Sequence, residues 1–151
     1  MKHWKVLLLT GFTLTALSAC SGSSNSLGAS ILTASDFGQN NYLKTPPQIE
    51  SILTDQKTAA TVNVLDVRTP AEFHAGCLNG AKNIDFEAAD FETKAAGLDK
   101  NANYLVYCRT GRRSGLAVAK LREMGFKNII EMKGGITAWT SAGEPVSQSC
   151  S

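Results

Sequence analysis

Apolar and polar positions recur with two different periods along this chain, and each period predicts an element. Thr45-Pro46-Pro47 followed by Gln48, Ile49, Ile52 and Leu53 has the form of an N-cap, a proline first turn and an amphipathic helix. Residues 61–67 (TVNVLDV) are β-branched and apolar, which predicts a central strand of a parallel sheet. Pro70-Ala71-Glu72-Phe73 predicts a short helix, residues 81–85 (AKNID) a brief strand after Gly80, and residues 86–98 an alanine-rich helix. Residues 103–107 (NYLVY) form the next strand, running straight into Cys108. A helix over 114–124 follows, with Leu116, Ala117, Ala119, Lys120 and Leu121 spaced for one packed face and Gly125 at its C′ position. Residues 128–132 read as a strand, and Gly134-Gly135 turns the chain into a last helix carrying Trp139. Strands alternating with helices in this way predict an α/β domain, a small parallel sheet with helices on both faces. No internal repeat is present.

The ends of the chain do not share this patterning. Lys2, His3 and Lys5 precede an apolar run over residues 6–17, too short for a bilayer span of about twenty residues but suited to a signal peptide. Leu17 is too large for the outer recognition position of an ordinary cleavage site, and Leu17-Ser18-Ala19-Cys20 instead resembles the bacterial lipobox. That resemblance implies cleavage after Ala19, lipidation of Cys20 and anchoring in the cell envelope on the periplasmic side, with Ser21 compatible with the outer membrane. Residues 21–30 (SGSSNSLGAS) have nothing with which to build a core and read as a tether. The expected organisation is a signal peptide over 1–19, lipidated Cys20 and tether over 20–44, one domain over 45–142, and a tail over 143–151.

Charge narrows the function. The chain has 15 Lys and Arg against 13 Asp and Glu. Removing the signal segment removes Lys2 and Lys5, leaving 13 of each, and a net charge near zero argues against a nucleic-acid surface. Attraction for anions must come from a local cluster, and Cys108-Arg109-Thr110-Gly111-Arg112-Arg113-Ser114 is one. It lies between a buried strand and a helix, at the strand's carboxyl end, where open α/β sheets bind ligands. A tight loop entering a helix directs backbone N–H groups at one point, the helix dipole adds positive charge, and Gly111 permits the required backbone. A thiol so placed should ionise easily and act as a nucleophile. An isolated Cys would read as a small buried hydrophobe. A Cys followed by three arginines and a Gly at a strand-to-helix turn reads as a site.

Cys108 to Ser114 resembles the active-site loop of rhodanese-like sulfurtransferases. The flanks agree: residues 65–73 (LDVRTPAEF), 80–84 (GAKNI), 125–129 (GFKNI), then Lys133-Gly134-Gly135-Ile136 and Trp139 match that family's ordered motifs over about residues 45–142. The resemblance implies a rhodanese-like fold and a reaction in which Cys108 takes the outer sulfur of thiosulfate or a similar donor. Cys108 would hold it as a persulfide and pass it to cyanide or a thiol. Backbone N–H groups from Arg109 to Ser114, including Thr110 and Gly111, would stabilise the persulfide. Arg113 would hold the loop in shape, while Arg109 and Arg112 would draw in the donor. Asp66, Arg68 and Glu72 carry over as supports. No cofactor and no metal site is read, and a monomer is expected.

Most relatives have Gly-His-Ile where this chain has Gly76-Cys77-Leu78, so a thiol is introduced. The last helix should run back down the sheet and bring residues 144–150 towards the pole opposite Cys108, where the strand after Cys77 begins. A Cys77–Cys150 disulfide is the expectation that follows, in an oxidising compartment.

Three other readings compete. Cys-dependent phosphatases share the sheet-end loop but place one more residue between Cys and the closing Arg, and the four residues between Cys108 and Arg113 suit a single sulfur atom better than a phosphoryl group. A non-catalytic persulfide carrier or partner-binding module would keep the same fold. Thiol–disulfide exchange lacks a resolving Cys two or three residues from Cys108.

Overall fold

The computed structural model describes residues 42–150. The segment read as a signal peptide, Cys20 and the tether up to residue 41 lie outside them. Among the described residues five strands form one parallel sheet: β1 (Leu43–Lys44), β2 (Val62–Asp66), β3 (Lys82–Asn83), β4 (Asn103–Tyr107) and β5 (Asn128–Met132). Their order is β1-β5-β4-β2-β3. Parallel neighbours need crossovers, and the helices supply them: α1 (Pro46–Thr54), α2 (Gln56–Ala59), α3 (Pro70–His74), α4 (Phe91–Ala96), α5 (Arg112–Glu123) and α6 (Gly135–Ser141).

β4 is the central strand, and Tyr104 to Tyr107 are all buried because both faces of the sheet are covered. Leu105 and Tyr107 join Ile49 and Ile52 of α1, Phe73 of α3 and Trp139 of α6 in one core layer. Tyr104, Val106 and then Cys108 join Phe91 of α4 and Ala117, Val118 and Leu121 of α5 in the other. Strand alternation therefore puts the Cys108 side chain on the α5 side. The register aligns Asp66 with Tyr107 and Val106 with Glu131. Asp66, Cys108 and the Gly134-Gly135 turn thus share the carboxyl edge of the sheet.

Local signals set the helix starts. Gln48 Oε1 accepts from the Thr45 N–H at 2.9 Å and from the Thr45 hydroxyl at 3.1 Å. At α3, Thr69 Oγ accepts from the Glu72 N–H at 3.3 Å, and Glu72 Oε2 accepts from the Thr69 N–H at 3.2 Å, a reciprocal cap. Gly125, at φ +95°, ends α5, and the Phe126 N–H closes back on the Leu121 carbonyl at 3.0 Å.

The structure revises several expectations. α5 starts at Arg112, and its packed face is Ser114, Ala117, Val118 and Leu121, while Leu116 is 53 % exposed and Ala119 is exposed. Leu116 and Ala119 pointed at the wrong stripe because a helix this rich in alanine and small residues leaves more than one phase of the period open. The helix expected over 86–98 contracts to α4, with Phe86 stacked edge-on against Phe91 at 5.1 Å. β1 lies within the segment read as tether, since Leu43 and Lys44 pair with Glu131 and Met132. The segment over 145–150 is held: the Trp139 indole N–H donates to the Pro145 carbonyl at 2.8 Å, and Cys77 and Ser147 exchange backbone bonds at 3.0 and 2.8 Å.

Cys77 and Cys150 are joined in a disulfide, with Cα atoms 6.0 Å apart. Its place differs from the far pole. Gly76 accepts from Arg68 Nη2 at 2.7 Å, just beyond the end of β2, so the bond lies against the α1–α6 face near the carboxyl edge. α3 is only five residues long, and the chain turns back before it can descend the sheet.

Candidate active site

Cys108 follows β4 directly, and its side chain is 1 % exposed beneath the first turn of α5. Gly111, at φ +101°, lets the loop curl so that its own N–H donates to Cys108 Sγ at 3.1 Å. Ser114 Oγ lies 3.4 Å from the same sulfur. The loop also leans on the turn before α6. The Ile136 and Thr137 N–H groups donate to the carbonyls of Cys108 and Arg109 at 2.9 and 3.0 Å. That approach needs Gly135, because a Cβ there would stand 2.6 Å from the Arg109 carbonyl carbon.

The three arginines separate by role. Arg113 turns away from the sulfur and makes a two-pronged contact with Glu72, Nη1 to Oε2 and Nη2 to Oε1, each 2.7 Å. Glu87 adds a third contact to Arg113 at 3.2 Å. The Arg113 hydrogen bonds, helped by the Thr69 N–H and hydroxyl against the opposing effect of burial, hold the Glu72 carboxyl at a pKa of about 2. Glu72 in turn raises the pKa of Arg113 above its ordinary value, outweighing burial. Arg109, Thr110 and Arg112 are exposed. With Thr69, Glu72, Glu87 and Arg113 they line an open cavity of about 290 Å³ over the loop. A small anion entering it meets fixed positive charge on one rim.

Asp66 and Arg68 lie behind this loop. Asp66 is fully buried and accepts from Arg68 Nε at 2.9 Å, from Nη2 at 2.6 Å and from the Arg68 backbone N–H at 2.9 Å. Arg68 also reaches the Gly76 carbonyl and lies over the Tyr107 ring at 5.6 Å. The pair ties β2 to β4 and to the turn after α3, and it does not touch Cys108 Sγ. The supporting residues thus divide into two pairs, Asp66 with Arg68 and Glu72 with Arg113.

Three participants escaped the sequence reading. Thr69 caps Glu72, Glu87 braces Arg113, and Glu131 lies 2.7 Å from Ser114 Oγ. Two of them left a signal: Thr69 stands three residues before Glu72 at capping-box spacing, and Glu131 is a carboxylate inside the otherwise apolar run Ile129-Ile130-Glu131-Met132 of a buried strand. Among the described residues no group of three or more His, Cys, Asp or Glu side chains is placed to hold a metal. No helix among them is long and apolar enough to cross a membrane.

A parallel α/β sheet whose central strand ends in a buried cysteine, cradled by a basic loop and a helix N-terminus, presents a candidate nucleophile at the carboxyl edge of the sheet. Residues 45–142 match the family model "Rhodanese-like domain", and the chain belongs to that family. It is 33 % identical over 101 residues to a sulfurtransferase of Allochromatium vinosum, covering 66 % of this chain and 92 % of that protein. It is 35 % identical over 101 residues to a thiosulfate sulfurtransferase of Pseudomonas putida, covering 66 % of this chain and 86 % of that one. Among solved structures, a rhodanese-related protein from Thermoplasma volcanium superposes with a TM-score of 0.60 at 28 % identity, over 70 % of this chain and 97 % of the other. A rhodanese-like domain protein from Staphylococcus aureus gives 0.57 at 28 %, over 64 % and 89 %. The fold is the rhodanese-like one, and the family's activity is sulfur transfer.

Proposed function

We propose that this protein is a sulfurtransferase that works through a persulfide on Cys108, with thiosulfate or a similar anionic compound as donor. The observation that carries the reading is the buried Cys108 sulfur facing the Gly111 N–H and the Ser114 hydroxyl under a loop with an arginine-lined rim. In the first step the Cys108 thiolate attacks the outer sulfur of thiosulfate. The donor's sulfur–sulfur bond breaks, a new one forms on Cys108, and sulfite leaves. In the second step cyanide or a thiolate takes the outer sulfur, and the Cys108 thiolate returns. One difficult transfer becomes two easier ones. Arg109 and Arg112 attract the donor, Gly111 and Ser114 stabilise the sulfur anion, and Arg113 with Glu72 holds the loop closed.

Sulfur transfer from thiosulfate to cyanide by wild type and Cys108→Ser tests this, with mass spectrometry of donor-treated protein. A gain of about 32 Da on Cys108, one sulfur atom, and turnover abolished in the Ser variant are expected, because a hydroxyl is a far weaker nucleophile than a thiolate. A persulfide that forms but is not discharged to cyanide or small thiols would point instead to a carrier that delivers sulfur to another protein.

The same proposal places the domain outside the cytosol, in a bacterial cell envelope, tethered through lipid on Cys20. Leu17-Ser18-Ala19-Cys20 supports this, as does the Cys77–Cys150 disulfide, a bond that persists in oxidising compartments. Incorporation of labelled fatty acid by wild type and not by Cys20→Ala is the check.

A further inference from the structure

Glu131 lies in β5, is 4 % exposed, and is directed at the first turn of α5. Its Oε1 is 2.7 Å from Ser114 Oγ. That hydroxyl is also 3.4 Å from Cys108 Sγ and 3.0 Å from the Gly111 carbonyl oxygen. A serine hydroxyl carries one hydrogen. With three acceptors around it, its direction depends on whether the nearest of them brings a hydrogen of its own.

We infer that Glu131 is a positioning residue whose carboxyl sets the direction of the Ser114 hydroxyl, and so decides whether the Cys108 sulfur has one hydrogen-bond donor or two. The inference rests on Cys108 being the reactive thiol, and not on the identity of the donor. With a proton on Glu131, its O–H donates to Ser114 Oγ, and of the two acceptors left to the Ser114 hydrogen an anionic Cys108 Sγ, beside the Gly111 N–H, holds it more strongly than the neutral Gly111 carbonyl. When Glu131 loses that proton to solvent, Ser114 donates to the carboxylate. Gly111 alone then remains on the sulfur, and a second negative charge sits close by. A thiolate or persulfide anion is stabilised in the first arrangement and opposed in the second.

The surroundings favour the protonated form. Burial raises the pKa of Glu131, outweighing the Ser114 hydrogen bond and the positive charge of Arg122. Among the described residues, α5 presents Ser114 and Arg122 to this group. The end of β4 presents Cys108. Tyr42, ahead of β1, has its ring 4.2 Å from the Arg122 guanidinium carbon. Lys44 of β1 is in register with Met132, on the opposite face. Gly115 faces the carboxyl as well, and a Cβ there would lie in ordinary contact, 3.7 Å from Oε1.

The test is the pH profile of Cys108 alkylation by iodoacetamide in the resting protein, without any sulfur donor, read by mass spectrometry. Wild type should show two ionisations. Glu131→Gln, whose amide donates to Ser114 at every pH, should show one, with its midpoint moved down and alkylation at least about threefold faster on the rising limb. Ser114→Ala, which removes only the linking hydroxyl, should move the midpoint up. Profiles of folded Glu131→Gln that superimpose on wild type overturn the inference, and so does an unchanged Ser114→Ala profile if the Gln variant does not fold. Failure of the sulfurtransferase reading would appear in the thiosulfate assay, which this measurement does not use.

Discussion

Arg113 and Glu72, 41 residues apart in the chain, meet through two parallel hydrogen bonds of 2.7 Å, and this contact closes the Cys108 loop against α3. A planar guanidinium on a carboxylate fixes direction as well as distance, which a lysine ammonium cannot do. Arg113→Lys should therefore keep the charge and lose the loop geometry. Its kcat for sulfur transfer is expected to fall at least about tenfold with the Tm lowered by a few degrees, for a loss of about 1–2 kcal/mol.

The same pair makes stability depend on acid. Glu72 titrates at about 2 in the folded protein against 4.5 for an ordinary glutamate. Its contribution is present in full above about pH 4.5 and is lost as pH falls towards 2. The side chain is partly exposed, so solvent screening reduces the effect to the order of 1–2 kcal/mol. Urea unfolding of wild type and Glu72→Gln should differ by that amount at pH 6 and converge near pH 2.

Asp66 is the most deeply buried charge behind the site, and Arg68 is its partner. Asp66→Ala leaves a guanidinium buried without its counter-charge, at a cost of about 3–5 kcal/mol. Chemical denaturation should show this loss, and a double-mutant cycle with Arg68→Met should show strong coupling, because the second change removes the orphaned charge.

Gly135 has φ +59°, and an added Cβ would press on the Cys108–Arg109 backbone. Gly135→Ala must move either the Cys108 loop or the start of α6. Sulfur transfer should drop at least about tenfold and stability by about 2–3 kcal/mol, the scale of overpacking combined with a left-handed alanine.

The Cys77–Cys150 bond closes a sequence separation of 73 residues. Loop-closure entropy assigns such a link up to about 4 kcal/mol. Cys150→Ser, or reduction, should lower the Tm by on the order of 10 °C or more. Sulfur transfer at low temperature should be kept, because neither cysteine touches Cys108 Sγ. Thermal scans with and without reductant, paired with the thiosulfate assay, read both quantities.

Local chemistry made much of this protein legible in one dimension. The apolar runs at 62–66, 103–107 and 128–132 read as buried strands, and a Cys with three arginines at the end of the middle one marks the candidate site. Thr69 and Glu72, three residues apart, already carried the reciprocal cap of α3. Contacts between distant segments were a different matter. Leu116 looked like a core residue, yet the phase of α5 is set by what lies beneath it, namely Cys108 and Glu131. β1 is two residues long and exists only because β5 offers an open edge. The choice of Glu72 as the partner of Arg113, the place of the Cys77–Cys150 bond beside Arg68, and the approach of Glu131 to Ser114 all follow from strand order and register. Periodicity and capping act over a few residues, so sequence alone determines them. Pairing across tens of residues is decided by which backbone edges and side-chain faces the packed sheet brings together, and only the tertiary structure contains that.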